Sequence, residues 1–379
     1  MPDGPKKRLS ILHLVLSIGE TNTTYNEHCL PMAEHRDLTI CTYFRSSIAP
    51  PATITLFQGN DSVRGFIQAL GAALRARQYD VIHAHSPHVA LLLLGAMLLG
   101  YSKLAARTVV TVHDSYADYK LRNRLLFLPV FAGFRSVVCC SRASYTSFPG
   151  LYKWLAGNRL GFVQNGVDIA RIDRIMAAGN RKAPDGRFTV VAISRLVDVK
   201  NPFGAVGAFR MSGDHNSRLI YMGDGPLLKS LVEENRMADS DGRIEFTGLV
   251  PRDNVFEHLM NAELYISTSR GEGLPIAVME AMACGCPVVL SDIPPHREIA
   301  DGAPFIPLVA PDDVDGFARE IRKYHEMAPA ERSAIGSQCR RIVEERFSLD
   351  SMHAGYEQIY RQKKRDDRLP LSLQEKTGT

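Results

Sequence analysis

The sequence predicts an α/β protein built from two doubly wound domains in tandem. Short apolar runs rich in β-branched residues alternate with longer helical patterns in the first part of the chain, as is typical of parallel βαβ units. The alternation stops at a polar stretch, residues 177–186, and then begins again, so this stretch is predicted to be a linker. The length of 379 residues also suits two domains better than one.

The individual elements follow from hydrophobic periodicity. The strands predicted in the first half are 10–16, 38–44, 53–57, 81–84, 108–112, 136–140 and 161–164. Its main predicted helices are 62–78 and 88–100. The strands predicted in the second half are 188–193, 218–222, 243–247, 263–267 and 287–290. The helices predicted there are 201–211, 226–236, 253–261, 275–284, 314–328 and 330–347, followed by a last helix at 348–365.

These elements define the expected domains. The first domain is predicted to span residues 1–168 and the second residues 169–347. The last helix, 348–365, is expected to pack back on the first domain, and residues 366–379 have the composition of a frayed tail.

Composition excludes several protein classes. With 45% hydrophobic and 23% charged residues, the chain is typical of soluble globular proteins. Its 7 cysteines are scattered and form neither a disulfide framework nor a zinc-binding pattern, which favours reduced thiols in the cytoplasm. The apolar run 89–99 is shorter than the ~20 residues that a membrane-spanning helix needs.

Charge is unevenly distributed along the chain. The net charge of +4 arises from +8 in residues 1–165 and −4 in the remainder. A basic first half suggests an anionic acceptor or an anionic membrane surface. An ordinary solvated surface accounts for the same charge equally well, and no nucleic-acid partner is expected.

The segment 267–290, STSRGEGLPIAVMEAMACGCPVVL, carries the most specific pattern. A predicted strand leads through a glycine-containing loop to Pro275, which is expected at the first position of a helix. Free amides and the positive dipole end of that helix suit a diphosphate. Glu280 has no cation three or four positions away, so its carboxylate needs another partner, such as two ribose hydroxyls. A solvent-facing glutamate is the alternative.

Glu272 and Glu280, within EGLPIAVMEAMACGCPVV, resemble the paired-glutamate signature of the retaining glycosyltransferases of family 4. The resemblance implies the GT-B fold, in which two Rossmann-like domains face an inter-domain cleft. It also implies that Glu280 holds the nucleotide ribose and that Glu272, near the donor sugar, helps to stabilise charge at the reacting carbon. The neighbouring positions expected to bind the donor are Gly273, Leu274, Pro275 and Ile276.

Two cations follow the first strand of the second domain. Arg195 and Lys200 are five residues apart at a predicted strand-to-helix turn, so both can reach one diphosphate. By themselves they would more often be surface charges. The resemblance implies that they bind the donor phosphates and stabilise the departing nucleotide. It also places Val250 beside the nucleotide base. Arg252, two residues further on, is our own candidate for an additional contact there and is not part of the resemblance.

Histidines mark predicted strand ends in the first half. His85 follows one strand and His113 follows the next. The resemblance implies that His113, in a His-Asp pair, lies near the donor sugar; His85 is a weaker candidate on the acceptor side. His83 and His85 have a spacing compatible with metal ligation, but no carboxylate cluster accompanies them, so no metal site is expected.

The first loop departs from the double-glycine pattern of many relatives. It contains a single glycine, Gly19, within the segment 17–25. Gly19 is expected to allow close approach of the donor phosphate, because a glycine leaves the backbone uncovered. Glu20 and Asn22 are expected to face the acceptor.

The segment 119–134 combines Lys120, Arg122 and Arg124 with an apolar continuation. Such a stretch can dock on a membrane surface, or it can be a helix packed on the sheet. We therefore expect a cytoplasmic protein that can contact the inner face of the cytoplasmic membrane.

The expected reaction is transfer of a sugar from a UDP- or GDP-sugar to a hydroxyl of a saccharide or lipid-linked acceptor, with retention of configuration, in polysaccharide or glycolipid assembly. No metal cofactor is expected, because no Asp-x-Asp motif occupies a matching position and the cations supply the charge. A nucleotide-sugar epimerase of the same fold and a non-catalytic nucleotide-binding scaffold are the alternatives.

Overall fold

A computed structural model of the protein describes residues 8–98, 100–178, 186–213, 215–238 and 242–361. They form two compact units. The first contains the described residues up to Gln164 and those from Asp350 onward, and the second contains Asn165–Leu349. Each unit holds one parallel sheet flanked by helices, which confirms the predicted α/β class with two Rossmann-like folds.

The first unit contains a seven-stranded sheet. Its strands are β1 Ser10–Val15, β2 Asp37–Thr42, β3 Ile54–Gln58, β4 Val81–Ala84, β5 Thr108–Val112, β6 Ser136–Cys139 and β7 Leu160–Phe162. The helices between them are α1 Val63–Ala76, α2 Pro87–Leu98, α3 Leu121–Gly133, α4 Arg142–Ser147 and α5 Gly150–Ala156. A wide helical turn, Thr24–Cys29, follows β1.

The second unit contains a six-stranded sheet. It begins with α6 Ile169–Ala178, and its strands are β8 Phe188–Ile193, β9 Ser217–Met222, β10 Ile244–Gly248, β11 Leu264–Ser267, β12 Val288–Ser291 and β13 Leu308–Val309. The helices that follow α6 are α7 Pro202–Ser212, α8 Leu228–Ala238, α9 Arg252–Met260, α10 Ile276–Ala283, α11 Pro294–Ile299, α12 Val314–Glu326 and α13 Pro329–Arg346. The last helix of the chain is α14 Leu349–Arg361.

Strand order determines where ligands bind. The first sheet has the order β3-β2-β1-β4-β5-β6-β7 and the second β10-β9-β8-β11-β12-β13. In each sheet the direction of strand addition reverses once, between β1 and β4 and between β8 and β11. Ligands of doubly wound folds bind at the carboxyl ends of strands beside such a reversal. The loops after these four strands are therefore the structural candidates for a site.

Helix α14 packs within the first unit through its tyrosines. The Tyr356 hydroxyl lies 2.9 Å from Oγ1 of Thr111, and the Tyr360 hydroxyl lies 2.7 Å from Nδ1 of His83. All four side chains are buried, so α14 covers polar groups of β4 and β5 that would otherwise lack partners.

Several short elements were absent from the sequence prediction. These are α4, α5, α6, α11 and β13, of which β13 has only two residues. Periodicity is weakly defined over so few residues. The predicted linker 177–186 begins inside α6, which ends at Ala178. Residues 179–185, the end of the last predicted helix at 362–365 and the predicted tail 366–379 lie outside the described residues.

The thiols are buried. All seven cysteines are free of disulfide bonds and buried, and burial raises the pKa of the Cys41 thiol to about 12. Thiols with a raised pKa are protonated near neutral pH and therefore unreactive. Within the described part of the chain, no helix combines the length and the apolar character needed to cross a bilayer.

Gly336 in the second unit tests the packing of its helices, and Gly95 in the first unit is a matched control. A Cβ on Gly336 in α13 would lie 1.9 Å from the carbonyl oxygen of Gly285, directly after α10, whereas a Cβ on Gly95 in α2 meets nothing within 4 Å. We expect Gly336→Ala to lower the free energy of unfolding by about 1–3 kcal/mol, because backbone must move. Gly95→Ala should raise it by up to ~1 kcal/mol through helix propensity. Urea unfolding measures both, and equal effects would contradict the packing.

Candidate functional site

The loop after β8 presents a free cation. Arg195 is exposed, and its guanidinium has no ion pair or side-chain hydrogen bond with the described residues. Gly223, after β9, holds this loop in place: its φ is +142°, and a Cβ there would lie 1.9 Å from the carbonyl oxygen of Ser194. Only glycine tolerates this backbone conformation and this approach. The second sheet thus holds an exposed positive charge on a loop whose backbone is tightly packed.

Lys200 and Glu272 come together at the carboxyl edge of this sheet. Nζ of Lys200 lies 2.5 Å from Oε2 of Glu272, and each side chain is 12% exposed. The other oxygen of Glu272 accepts a hydrogen bond of 2.7 Å from Oγ of Ser269. These contacts fix the position of the carboxylate beside a cation. Lys200, after β8, and Glu272, after β11, were both predicted site residues, and they are neighbours in the structure.

Helix α10 begins where the predicted donor segment ends. Gly273, Leu274 and Pro275 are buried, and α10 starts at Ile276, with Pro275 as the residue before its first turn. The prediction that Pro275 occupies the first helical position is therefore wrong by one residue. The helix start at Ile276 still offers unpaired amides and the positive end of the dipole at the same edge.

Glu280 has a partner that the sequence did not reveal. Its carboxylate forms an ion pair with the guanidinium of Arg252 in α9, which also lies over the ring of Phe256. Burial raises the pKa of Glu280, and Arg252 opposes the rise. The sequence correctly indicated that α10 carries no cation near Glu280. The cation, Arg252, comes from the neighbouring helix α9. Arg252, predicted as a contact to the base, instead holds the side chain predicted to bind the ribose.

The loop before α10 is supported from a distant part of the chain. Nδ2 of Asn165 donates a hydrogen bond of 3.1 Å to the carbonyl of Leu274. Gly166, next in the Asn-Gly-Val-Asp turn, packs so closely on Ser348 that a Cβ would lie 2.4 Å from its carbonyl oxygen. Asn165 was not among the predicted site residues. The Asn-Gly-Val-Asp pattern predicted that Asn165 lies in a turn. No residue near it in the sequence indicated that its side chain would bond to Leu274.

Val250 lies in the loop after β10 and is partly buried. Gly248 before it has a φ of +69°, and its carbonyl accepts a hydrogen bond from the amide of Gly223. Val250 therefore lies at the same carboxyl edge as Gly223 and the Arg195 loop.

The loop after β1 is organised by its own polar groups. The carbonyl of Gly19 accepts a hydrogen bond from the amide of Asn22, and Oδ1 of Asn22 accepts one from the amide of Tyr25. The Asn22 side chain thus supports the start of the turn Thr24–Cys29, and its amide donates a hydrogen bond to the carbonyl of Ser17. Glu20 is exposed. Of the predicted acceptor-side residues here, Glu20 has the side chain more accessible to a ligand.

A histidine cluster lies where the first sheet reverses. His13 in β1 is paired in register with His83 in β4. Nδ1 of His13 lies 2.8 Å from Nε2 of His85, and Nδ1 of His85 lies 3.3 Å from Nε2 of His113. His28 packs edge-on against His85 and His113. The sequence indicated His85 and His113 but missed His13, because a single histidine within an apolar strand carries no distinct signal.

These imidazoles are neutral. Burial lowers the pKa of His13 to about 3 and that of His113 to about 4, because an apolar interior disfavours the charged form. Ring nitrogens of His13, His83 and His85 lie within 4.8 Å of one another, as a metal site would require. However, both nitrogens of His83 already contact hydroxyls, those of Thr111 and Tyr360.

A cavity of about 440 Å³ lies elsewhere in the second unit. It is lined by residues at the amino ends of the strands, among them Phe188, Glu263 and Pro287. This edge is opposite the one that carries Arg195 and Glu272. The cavity is therefore separate from the candidate site.

The family comparisons cover both units. Residues 35–171 match the family profile described as Glycosyltransferase Family 4, and residues 177–341 match that described as Glycosyl transferases group 1. The chain belongs to glycosyltransferase family 4. Its fold is the GT-B fold of this family, as the sequence predicted.

Curated relatives are distant members. An α-monoglucosyldiacylglycerol synthase of Streptococcus pneumoniae is 26% identical over 60% of this chain, which spans 54%, about half, of the relative's length. A UDP-Gal:α-D-GlcNAc-diphosphoundecaprenol α-1,3-galactosyltransferase of Escherichia coli is 23% identical over 77% of this chain and 76% of its own.

A solved structure supports the fold of this family member. The HepE protein of Anabaena, solved in complex with UDP-glucose, has a TM-score of 0.74 at 18% identity. It covers 92% of this chain and 99% of its own.

The ion pair of Glu280 and Arg252 predicts that the stability lost on removing Arg252 depends on pH. We expect Arg252→Met to lower the free energy of unfolding by about 3 kcal/mol at pH 7.5, because it leaves a buried carboxylate unpaired. The folded-state pKa of Glu280 is raised, so protonation favours the folded state. The loss should therefore be largest at high pH and shrink as the pH falls towards 5.

Urea unfolding at several pH values measures this loss. Adding Glu280→Gln to the Arg252→Met variant should remove most of it. A loss that is independent of pH would show that Arg252 acts through packing on Phe256.

Proposed function

We propose that the protein is a retaining glycosyltransferase that moves a hexosyl group from a nucleoside diphosphate sugar, UDP- or GDP-linked, to a hydroxyl of a saccharide or lipid-linked acceptor. The observation that carries the proposal is the contact of Lys200 with Glu272 beside the start of α10. It combines a fixed carboxylate, cationic groups and free helix amides at the edge where doubly wound folds bind ligands.

The leaving group determines the roles of the cations. Departure of the nucleoside diphosphate leaves negative charge on its terminal phosphate, and donors fixed in advance stabilise such charge. Arg195, whose charge is uncompensated within the described residues, supplies a bidentate cation. Lys200 shares its charge with Glu272, and the amides at Ile276 complete the anion seat. We propose that these groups replace a divalent ion, so the reaction is independent of metal.

Glu272 acts on the sugar rather than on the phosphate. A carboxylate fixed by Lys200 and Ser269 can stabilise the positive charge that develops at the anomeric carbon. Attack from the face that the diphosphate leaves, with a phosphate oxygen taking the acceptor proton, retains the configuration. Retention is also consistent with the α products in the names of both curated relatives. His113 is proposed as a contact to the donor sugar, and Glu280 as the ligand of the ribose.

The names of two relatives and one surface of this protein support the proposed acceptor class. The pneumococcal relative is named for a diacylglycerol product and the E. coli relative for a diphosphoundecaprenol acceptor. In this protein, Leu121 and Leu125 on α3 are 70% and 56% exposed, and Leu151 and Trp154 on α5 are 54% and 77% exposed. Exposed apolar side chains of this size suit a membrane surface.

The two helices are in contact at this surface. The hydroxyl of Tyr152 in α5 donates a hydrogen bond of 2.8 Å to the carbonyl of Arg124 in α3. The guanidinium of Arg124 contacts the carbonyls of Tyr119 and Ala117 and lies over the ring of Tyr116. Arg124 is therefore structural, which narrows the predicted membrane-binding cations to the exposed Lys120 and Arg122.

Substitution of Arg195 tests the reaction. We expect Arg195→Met to lower kcat/KM for the donor by about 100-fold, since one oriented donor to a developing charge contributes roughly that much. Unfolding free energy should change by no more than ~0.5 kcal/mol, because the side chain is exposed. Steady-state kinetics with UDP- and GDP-sugars measures the first, after a thermal-shift screen identifies the donor.

Arg236→Met, which removes an exposed charge from α8 of the same unit, is the matched control and should retain full activity. NMR of the product should show the donor's anomeric configuration, and a chelator should leave the rate unchanged. Release of an altered sugar without any acceptor would identify an epimerase instead. Donor binding without turnover would identify a scaffold.

Substitution of the exposed apolar residues tests membrane contact. The double variant Leu121→Glu with Trp154→Glu should lower sedimentation with phosphatidylglycerol-containing vesicles by at least tenfold, because burial of each side chain is worth about 1.5–3 kcal/mol. Met211→Glu, a residue of α7 that is 49% exposed, should have no effect. Equal sedimentation of all three proteins would remove the membrane from the proposed function.

A further inference from the structure

The histidines of the first unit form a continuous hydrogen-bonded chain. Nδ1 of His13 contacts Nε2 of His85 at 2.8 Å, and Nδ1 of His85 contacts Nε2 of His113 at 3.3 Å. His13 is fully buried and His85 almost so, whereas His113 is partly exposed. The chain thus runs from the interior of the sheet to the residue proposed to contact the sugar.

Neutral imidazoles allow only two proton arrangements in this chain. A neutral ring carries one N–H donor and one acceptor nitrogen, and each contact needs one of each. Either the donors all point from His13 towards His113, or they all point back towards His13. A mixed arrangement would bring two N–H groups or two lone pairs together.

His13, the buried end of the hydrogen-bonded chain, favours one of these two proton arrangements. Nε2 of His13 is buried and has no hydrogen-bond partner among the described residues. If the donors pointed towards His13, this nitrogen would carry an unsatisfied N–H, which is rarer in proteins than an unsatisfied acceptor. The favoured order is Nδ1–H of His13 to His85, and Nδ1–H of His85 to Nε2 of His113.

We propose that His13 and His85 are positioning residues that hold His113 as its Nδ1–H tautomer. Nε2 of His113 then accepts from His85, and Nδ1–H is the donor that remains for a ligand. His113 therefore offers an uncharged hydrogen bond to an oxygen of the substrate, either a sugar hydroxyl or a phosphate oxygen. It does not act as a general base, because its acceptor nitrogen is occupied. This inference rests on the proposed role of His113 at the donor sugar.

A metal ion accounts less well for the same cluster. Zinc binds imidazole through a free lone pair. Both nitrogens of His83 contact hydroxyl groups, and both nitrogens of His85 contact other imidazoles. A metal would have to displace several of these contacts, whereas the hydrogen-bonded chain leaves all of them in place.

Ring-nitrogen NMR on the full-length protein, labelled with ¹⁵N in the histidine rings, tests the tautomer directly. At neutral pH the His113 signals, identified by their loss in His113→Asn, should show a protonated Nδ1 and an unprotonated Nε2. A protonated Nε2 would overturn the proposal, as would zinc that survives dialysis and shifts the His13 and His85 signals. The measurement needs no enzyme activity, so its failure is distinguishable from failure of the proposed function.

Paired amide substitutions test the consequence for the reaction. The amide of Asn reaches the position of Nδ1 and that of Gln the position of Nε2, so His85→Asn can still donate to His113 and His85→Gln cannot. We expect His85→Gln to lose at least tenfold in kcat/KM and His85→Asn to lose less than threefold. Likewise, His113→Asn should retain more activity than His113→Gln.

Tyr360→Phe is the control. It removes the hydrogen bond to His83 in the same cluster, but Tyr360 lies outside the hydrogen-bonded chain of His13, His85 and His113. It should retain kcat/KM. Equal losses in His85→Asn, His85→Gln and Tyr360→Phe would show that the cluster only stabilises the fold and would overturn the positioning role.

Discussion

The reversal of strand order in each parallel sheet is the constraint on which the candidate site depends. Parallel strands end at one edge, and at the reversal the loops after two adjacent strands turn to opposite faces and leave a crevice. In the second unit this brings Lys200, after β8, against Glu272, after β11. In the first unit it brings His13 of β1 beside His83 of β4. Residues far apart in the chain become neighbours without any local sequence signal.

Buried polar groups near the candidate site are satisfied in two ways. The second unit buries charges as pairs, and Glu280 with Arg252 shows why: an unpaired carboxylate in the interior would be costly. The first unit buries imidazoles, which become neutral and bond to one another or to hydroxyls of α14. In the proposed reaction, the pair of Lys200 and Glu272 lies beside the departing diphosphate, and the neutral chain directs one hydrogen bond from His113 to a substrate oxygen.

Glycines and an asparagine maintain this geometry. Gly223 allows the backbone after β9 to support the Arg195 loop, and Gly166 allows the turn before α6 to pack on Ser348. Asn165 extends from that turn to the carbonyl of Leu274. The Asn-Gly and Gly-Asp-Gly-Pro turns are recognisable in the sequence, but their close contacts are not, because a contact distance depends on the partner backbone.

The sequence by itself determined the fold class, most strands and the paired-glutamate segment, because periodicity and short motifs are local properties of the chain. It placed Pro275 one residue too far into its helix, since propensity defines element ends poorly. Only the tertiary structure decided the partner of Glu280, the structural use of Arg124 and the membership of His13 in a chain with His85 and His113. Each of these depends on which distant side chain lies within hydrogen-bonding distance. That distance is determined by the order of the strands in the sheet and not by spacing along the chain.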